Sequence, residues 1–178
     1  MRALVLVLFL APAGEGKLPS LPVELRVIQG RAVLLEGTEV VSHSSARGPR
    51  AIEGPVQFEI GPGSQAEILW RGRMSLRVSG PAALHVPDSS TRPLETRVEI
   101  LFAAGVELEV RRGAMRAQLS DLGELEVKRS AVALGELSQG GWEILHRGGD
   151  PVRFSASGAT DAQEIRSGTR ARIEAHGL

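Results

Sequence analysis

The side chains that most often carry chemistry in proteins are few in this chain and lie far apart. The absence of cysteine excludes disulfide bonds, thiolate metal sites and thiol nucleophiles. The sequence holds no H-E-x-x-H motif, no Gly-x-Ser-x-Gly elbow and no phosphate-binding glycine loop. It therefore predicts no catalytic residue, no metal site and no cofactor. The four histidines, which we expect in solvent or on edge strands, are His43, His85, His146 and His176.

The stretch "GGWEILHRGGDPVRF", residues 140–154, is the most distinctive candidate for recognition. Alternation along it places Trp142 and Ile144 on one face of a strand. One interpretation is an exposed rim on which Trp142, His146 and Arg147 contact a partner. The other is a hairpin whose tryptophan lies in the core, and this one is favoured because a domain with so few aromatic residues tends to bury its tryptophans.

Composition narrows the classes of partner. The formal net charge is +0, and the arginines are spread along the chain with glutamates between them, which disfavours nucleic-acid binding. Aromatic residues make up only 3%, so platforms for stacking sugars or bases are poorly supplied. Glu107 and Glu109 alternate with three apolar residues, and both are therefore expected on the outward face of a strand.

The first residues, "MRALVLVLFLAPA", have the pattern of a secretory leader. One arginine precedes an apolar run, and Ala11, Pro12 and Ala13 form the A-x-A pattern of a signal-peptidase site. The run is shorter than the roughly 20 residues that span a bilayer, so we expect no stable membrane insertion. Residues 1–13 are thus predicted to be a signal peptide, and residues 14–178 a single exported domain. An apolar N-terminal strand is the alternative.

Apolar residues beyond the leader recur every second position, which is typical of half-buried strands. Gly-Pro pairs interrupt these runs, and a series of short strands bounded by turn residues predicts an all-β sandwich, roll or solenoid. Gly80-Pro81 is expected to be one such corner, and residues 37–55 and 87–97 are expected to be the longest loops. "ELEVRRGA" at 107–114 and "ELEVKRSA" at 124–131 match at an offset of 17, as in a solenoid coil or a meander.

Two segments together resemble the periplasmic FecR-type domain. They are "GPGSQAEILWRGRMSLRVSGPAALHV", residues 61–86, and "VELEVRRGAMRAQL", residues 106–119, and the likeness extends over about residues 25–135. The resemblance implies an exported all-β module without a catalytic motif, of a family whose best-understood members relay an outer-membrane signal to a sigma factor. We expect this chain to depart from that pattern, since its sequence shows no cytoplasmic helical segment before the hydrophobic stretch.

These observations lead to one expected function and two alternatives. We expect a non-enzymatic periplasmic or extracellular module that binds, signals or scaffolds through a protein or another envelope component. The first alternative is a secreted polysaccharide-binding or carbohydrate-active β protein, which would need Trp70 or Trp142 on the surface. The second is a self-assembling structural β-roll, which the repeated ELEV segment suggests.

Overall fold

The computed structural model describes residues 23–52, 55–70, 73–87 and 95–174, and all regular structure in these ranges is β-strand. The predicted signal peptide, residues 1–13, lies outside the described residues. The all-β prediction is confirmed. The strands are β1 (Val23–Gln29), β2 (Arg31–Glu36), β3 (Glu39–Ser44), β4 (Arg50–Ile52), β5 (Val56–Ile60), β6 (Gln65–Trp70), β7 (Met74–Val86), β8 (Glu95–Val110), β9 (Ala114–Leu119), β10 (Gly123–Lys128), β11 (Ser130–Glu136), β12 (Trp142–Gly149), β13 (Val152–Ala156), β14 (Ala162–Ile165) and β15 (Arg170–Ile173).

Two long strands, β7 and β8, divide the sheet into two arms. Their hairpin shifts register between Ser79 and Ala82 and again between Ala83 and Leu84, and both strands change their outer partners there. Irregularities of this kind bend a strand, and we call this segment the bend. We call arm 1 the strand order β3-β2-β5-β7-β8-β9-β10-β13-β14, which contains the second half of β7 and the first half of β8. Arm 2 is the order β4-β1-β6-β7-β8-β11-β12-β15, which contains the other halves.

The inner faces of both arms contribute to one hydrophobic core. Its members alternate along each strand, as in β6, where every second side chain is buried. The even-numbered side chains of β7 point inward on both sides of the bend, from Met74 to Val78 and again from Ala82 to Val86. The sheet therefore folds over so that the two arms face each other across this core.

The Gly80-Pro81 corner lies inside a strand and does not separate two strands. β7 passes through it without ending, changing its partner from β6 to β5 as it moves from arm 2 to arm 1. Gly80 is required there because an added Cβ would lie 2.1 Å from the carbonyl oxygen of Gly61. The two apolar runs of the sequence are thus one bent strand, and the bend joins the arms.

The repeated ELEV segments mark two crossings between the arms and not the coils of a solenoid. The first ends β8 in arm 2 before the chain enters β9 in arm 1, and the second forms β10 in arm 1 before β11 in arm 2. Stacked solenoid coils would pair in parallel. Within the described residues, β8 with β9 is the one parallel pairing. Residues 37–55, expected to form a loop, contain β3 and β4. Val40 and Val41 pair with β2, and Ile52 pairs with β1.

Candidate functional site

The outer face of arm 2 carries a row of alternating charges across three neighbouring strands. Antiparallel register places Glu67 of β6 beside Arg77 of β7, and Arg77 beside Glu107 of β8. All three side chains point outward because the residues on either side of each one are buried. Arg77 contacts both carboxylates, at 3.4 Å from Glu67 Oε1 and 3.7 Å from Glu107 Oε2.

Arg147 extends this row from two strands away. The pairing of β11 with β12 is irregular between Ala131 and Val132, and Arg147 falls at this irregularity, opposite no residue of β11. The outward residues of β11 here are alanines, Ala131 and Ala133, which leave room for the arginine to reach across the strand. Its Nη1 donates to Glu107 Oε1 at 2.9 Å. Glu107 is therefore the hub between two arginines.

Small side chains between these charges form a shallow depression. Its volume is about 370 Å³, and it opens broadly to solvent. Enclosed ligand pockets are mostly apolar and cover most of their ligand's surface, which this depression does not do. It suits a polar surface laid across it, such as a polypeptide. The residues that line it include Gln65, Arg77, Ser79, Gly105, Glu107, Ala133 and Arg147.

These ion pairs contribute little to the stability of the fold, and their main effect is to hold the charged groups in place. All four side chains keep contact with water, and exposed pairs contribute roughly 0.2–1 kcal/mol each to stability. Their arrangement nevertheless fixes two guanidinium groups and two carboxylates on rigid strands. A fixed pattern of charge of this kind favours selective encounter over raw affinity in protein contacts generally.

A second outward pair on arm 2 lies beside the depression. Arg111 Nε donates to Glu109 Oε1 at 2.9 Å. This hydrogen bond, together with the negative charge of Glu109, raises the pKa of Arg111 above its usual value. Glu109 and Arg111 thus extend the charged surface toward the end of β8.

The three residues proposed from the sequence as a partner contact separate into two environments. Trp142 begins β12 with its side chain in the core and 2% exposed, which agrees with the interpretation of a hairpin with a core tryptophan. His146 is 0% exposed. Of the three, Arg147 alone presents its side chain to solvent, and it belongs to the charged row of arm 2. A contact through Arg147 remains a prediction.

His146 is buried on β12, which has a neighbouring strand on each side, so the expectation that the histidines lie in solvent or on edge strands is wrong for this residue. Its Nδ1 lies 3.1 Å from the carbonyl oxygen of Ile165, and its Nε2 lies 3.1 Å from that of Gly148. Its backbone also bonds to the segment before β15, through Gly168 and Thr169. The ring therefore ties β12 to the C-terminal strands. His43 is buried too, with Nε2 3.0 Å from the carbonyl oxygen of Gly48.

Replacing His146 with phenylalanine tests this structural role. We expect the free energy of unfolding to fall by about 2 kcal/mol, because the ring volume is kept while a carbonyl oxygen beside the ring loses its donor. Urea unfolding followed by circular dichroism gives the value. His85→Phe is the matched control: His85 lies on the outer face of arm 1, paired with Glu99 at 3.1 Å, and its loss should cost less than about 0.5 kcal/mol. Equal effects would contradict the role of His146.

The residues needed for metal or sugar chemistry do not converge in the part of the chain that the structure describes. Over residues 23–52, 55–70, 73–87 and 95–174, no three His, Asp or Glu side chains lie close enough to hold a metal ion. Trp70 and Trp142 are both buried, so the surface tryptophan that the carbohydrate alternative requires is missing. In the same ranges, no helix combines the length and the apolar composition needed to cross a bilayer.

Comparison of the chain with protein-family models, curated proteins and solved structures finds no match. The site thus rests on its own geometry. Sequence reasoning placed Glu107 outward and singled out Arg147, but it did not connect them. Glu67 and Arg77 were missed, although both alternate with core residues. Alternation alone shows that a side chain points outward, whereas the charged row depends on which strands become neighbours.

Proposed function

We propose that this protein is a non-catalytic binding or scaffolding module of the cell envelope, similar to the FecR-type periplasmic domain, and that its partner docks on the outer face of arm 2. The observation that carries the proposal is the row of ion pairs that links Glu67, Arg77, Glu107 and Arg147, of which the last three line an open polar depression. Such a face can select a partner by charge pattern without bond-making chemistry. A protein or another envelope component with complementary charge is the expected occupant.

A charge reversal on each arm tests where the partner binds. Arg77 lies between two glutamates on arm 2, and Arg116 lies between Glu124 and Glu126 on arm 1, with both ion pairs at 3.6 Å. The side chains of the two arginines are similarly exposed, at 49% and 44%. Arg77→Glu and Arg116→Glu therefore change the same charge in matched surroundings on opposite faces.

The expected result is loss of the partner with only one of these variants. After mild cross-linking, the wild type and Arg116→Glu should retain the same envelope component. Arg77→Glu should retain at least about tenfold less, because its new carboxylate repels the partner's acidic groups and disrupts the hub at Glu107. Equal retention by both variants, or a wild type that captures nothing above background, would contradict the proposal.

The proposed compartment has its own test. If the leader is processed after Ala13, the protein in the periplasmic or secreted fraction begins at Gly14, and mass spectrometry of the intact chain shows this directly. Recovery of the protein in the cytoplasm with Met1 retained would remove the premise of export. Binding partners would then have to be sought in the cytoplasm.

A further inference from the structure

The sheet has four edge strands in the described residues, and three of them are protected against pairing. β4 has three residues, of which Arg50 is held by Glu36 at 2.7 Å. β15 presents two arginines that both contact Glu143. β14 is four residues long, and Glu164 on it pairs with Arg166. Short, charged edges of this kind prevent strands of other molecules from adding to a sheet.

The edge strand β3 lacks this protection. It is six residues long, and Val40 on it is 68% exposed, the highest value among the large exposed hydrophobic residues of the described chain. Leu35 lies directly beside Val40 on β2, and Val33 follows on the same face. Together these three side chains form an apolar strip at the margin of arm 1.

The backbone of β3 has N–H and C=O groups at this edge of the sheet that are not bonded to β2. Its two-residue turn makes Glu36 and Glu39 a hydrogen-bonded pair, so odd-numbered residues bond to β2 and the N–H and C=O groups of Val40 and Ser42 point away from the sheet. Ser45 N–H donates to the carbonyl oxygen of Gly30, so the next odd-numbered residue after β3 also bonds toward the chain of β2.

Arg47 limits how much of this edge is open. Its backbone N–H donates to the carbonyl oxygen of Ser44 at 3.0 Å, and its Nη1 lies 3.4 Å from that of Ser42. The part of the edge available for pairing is therefore Glu39–Ser42, and its use requires the Arg47 guanidinium group to leave the carbonyl oxygen of Ser42. An exposed acid stands at the beginning of this stretch and an exposed guanidinium group at its end.

We propose that β3 pairs with β3 of a second copy of this chain, antiparallel about a two-fold axis at Val41. The segment has an acid at one end and a base at the other, so antiparallel pairing is complementary in charge. In this register Glu39 of each copy lies opposite His43 of the other, within reach of the Arg47 guanidinium group that lies beside Ser42. Val40 then lies opposite Ser42 of the second copy, and the two apolar strips become continuous. This surface is separate from the face of arm 2.

The small area buried by pairing of the two β3 strands determines the affinity expected for the dimer. A two-fold pairing over Glu39–Ser42 joins only a short stretch of each edge and two small apolar strips. Stable dimers bury about 1,200–2,000 Å² in total, which is more than so short a pairing supplies. The dimer should therefore be weak and appear by sedimentation velocity only toward the upper part of a range from about 10 μM to about 1 mM.

A charge-swap cycle tests both the partner and the register. Glu39→Arg and Arg47→Glu each place like charges together across the two-fold axis, and each should weaken association at least about tenfold. The double variant Glu39→Arg/Arg47→Glu restores opposite charges and should recover the association of the wild type. A wild type that stays monomeric up to about 1 mM, or a double variant no better than the single ones, would overturn the proposal.

A disulfide provides a second, independent measurement. The chain contains no cysteine, so Val41→Cys introduces a single thiol at the two-fold axis. This position would be a non-hydrogen-bonded pair with Cα atoms about 4.5 Å apart, within reach of a disulfide. Mild oxidation should convert Val41→Cys to a covalent dimer, whereas Gln163→Cys on the edge strand β14 should remain monomeric. Equal dimer yields from the two variants would contradict the pairing of β3.

Discussion

Trp142→Ala should lower the free energy of unfolding by about 4 kcal/mol, the largest effect expected from a single substitution here. The indole is one of the two largest fully buried side chains and faces the core from the first residue of β12. Its strand neighbour in β15 is Ile173, which packs against the same core. Removing the indole leaves a cavity at the point where the C-terminal strand joins arm 2.

Urea unfolding followed by far-ultraviolet circular dichroism measures this loss. Val40→Ala, which shortens a mostly exposed apolar side chain on β3, is the control and should change the free energy of unfolding by less than about 0.5 kcal/mol. If Trp142→Ala unfolded at the same urea concentration as the wild type, the tryptophan would not be a core residue, and its role as a partner contact would have to be reconsidered.

Gly80→Ala should destabilise the protein by about 3 kcal/mol. The added Cβ would lie 2.1 Å from the carbonyl oxygen of Gly61 and 2.6 Å from that of Ile60. Both obstacles are backbone atoms, so a side-chain rotation cannot relieve the clash. The N–H of Gly80 also donates to the carbonyl oxygen of Ser64 at 2.9 Å, and this bond must shift with the strand.

Gly135→Ala is the matched control for Gly80→Ala. Gly135 also lies within a strand, β11, but a Cβ built on it meets no atom within 4 Å. Its replacement should leave the free energy of unfolding within about 0.5 kcal/mol of the wild type. Similar losses for the two glycines would show that the close approach at the bend does not control the packing of the arms.

The period-two pattern was sufficient to predict the fold class and most strand positions. Side chains such as Phe58, Ile68 and Leu76 recur every second residue and are buried as the pattern predicts, because one face of each strand meets a common core. The pattern failed at the bend of β8. Phe102 continues the alternation of Val98 and Ile100 but is exposed, because the register shifts there and Ala103 takes the inward position.

The arrangement of the strands could not be predicted, and neither could the site that depends on it. Gly80-Pro81 has the composition of a turn, yet the chain passes through it within one strand, because β7 finds partners on both sides of the bend. The ion pair of Arg147 with Glu107 joins residues 40 positions apart and requires β11 to lie between their strands. Alternation contains no information about such neighbours.

Site-specific cross-linking tests most directly whether a partner binds to arm 2. A photo-crosslinking amino acid placed at Ala133, in the depression of arm 2, should form a specific adduct with an envelope component in living cells. The same amino acid at Ser155, on the outer face of arm 1, should form none. An adduct at Ser155 without one at Ala133, or no adduct at either position, would contradict the assignment of arm 2 as the binding face.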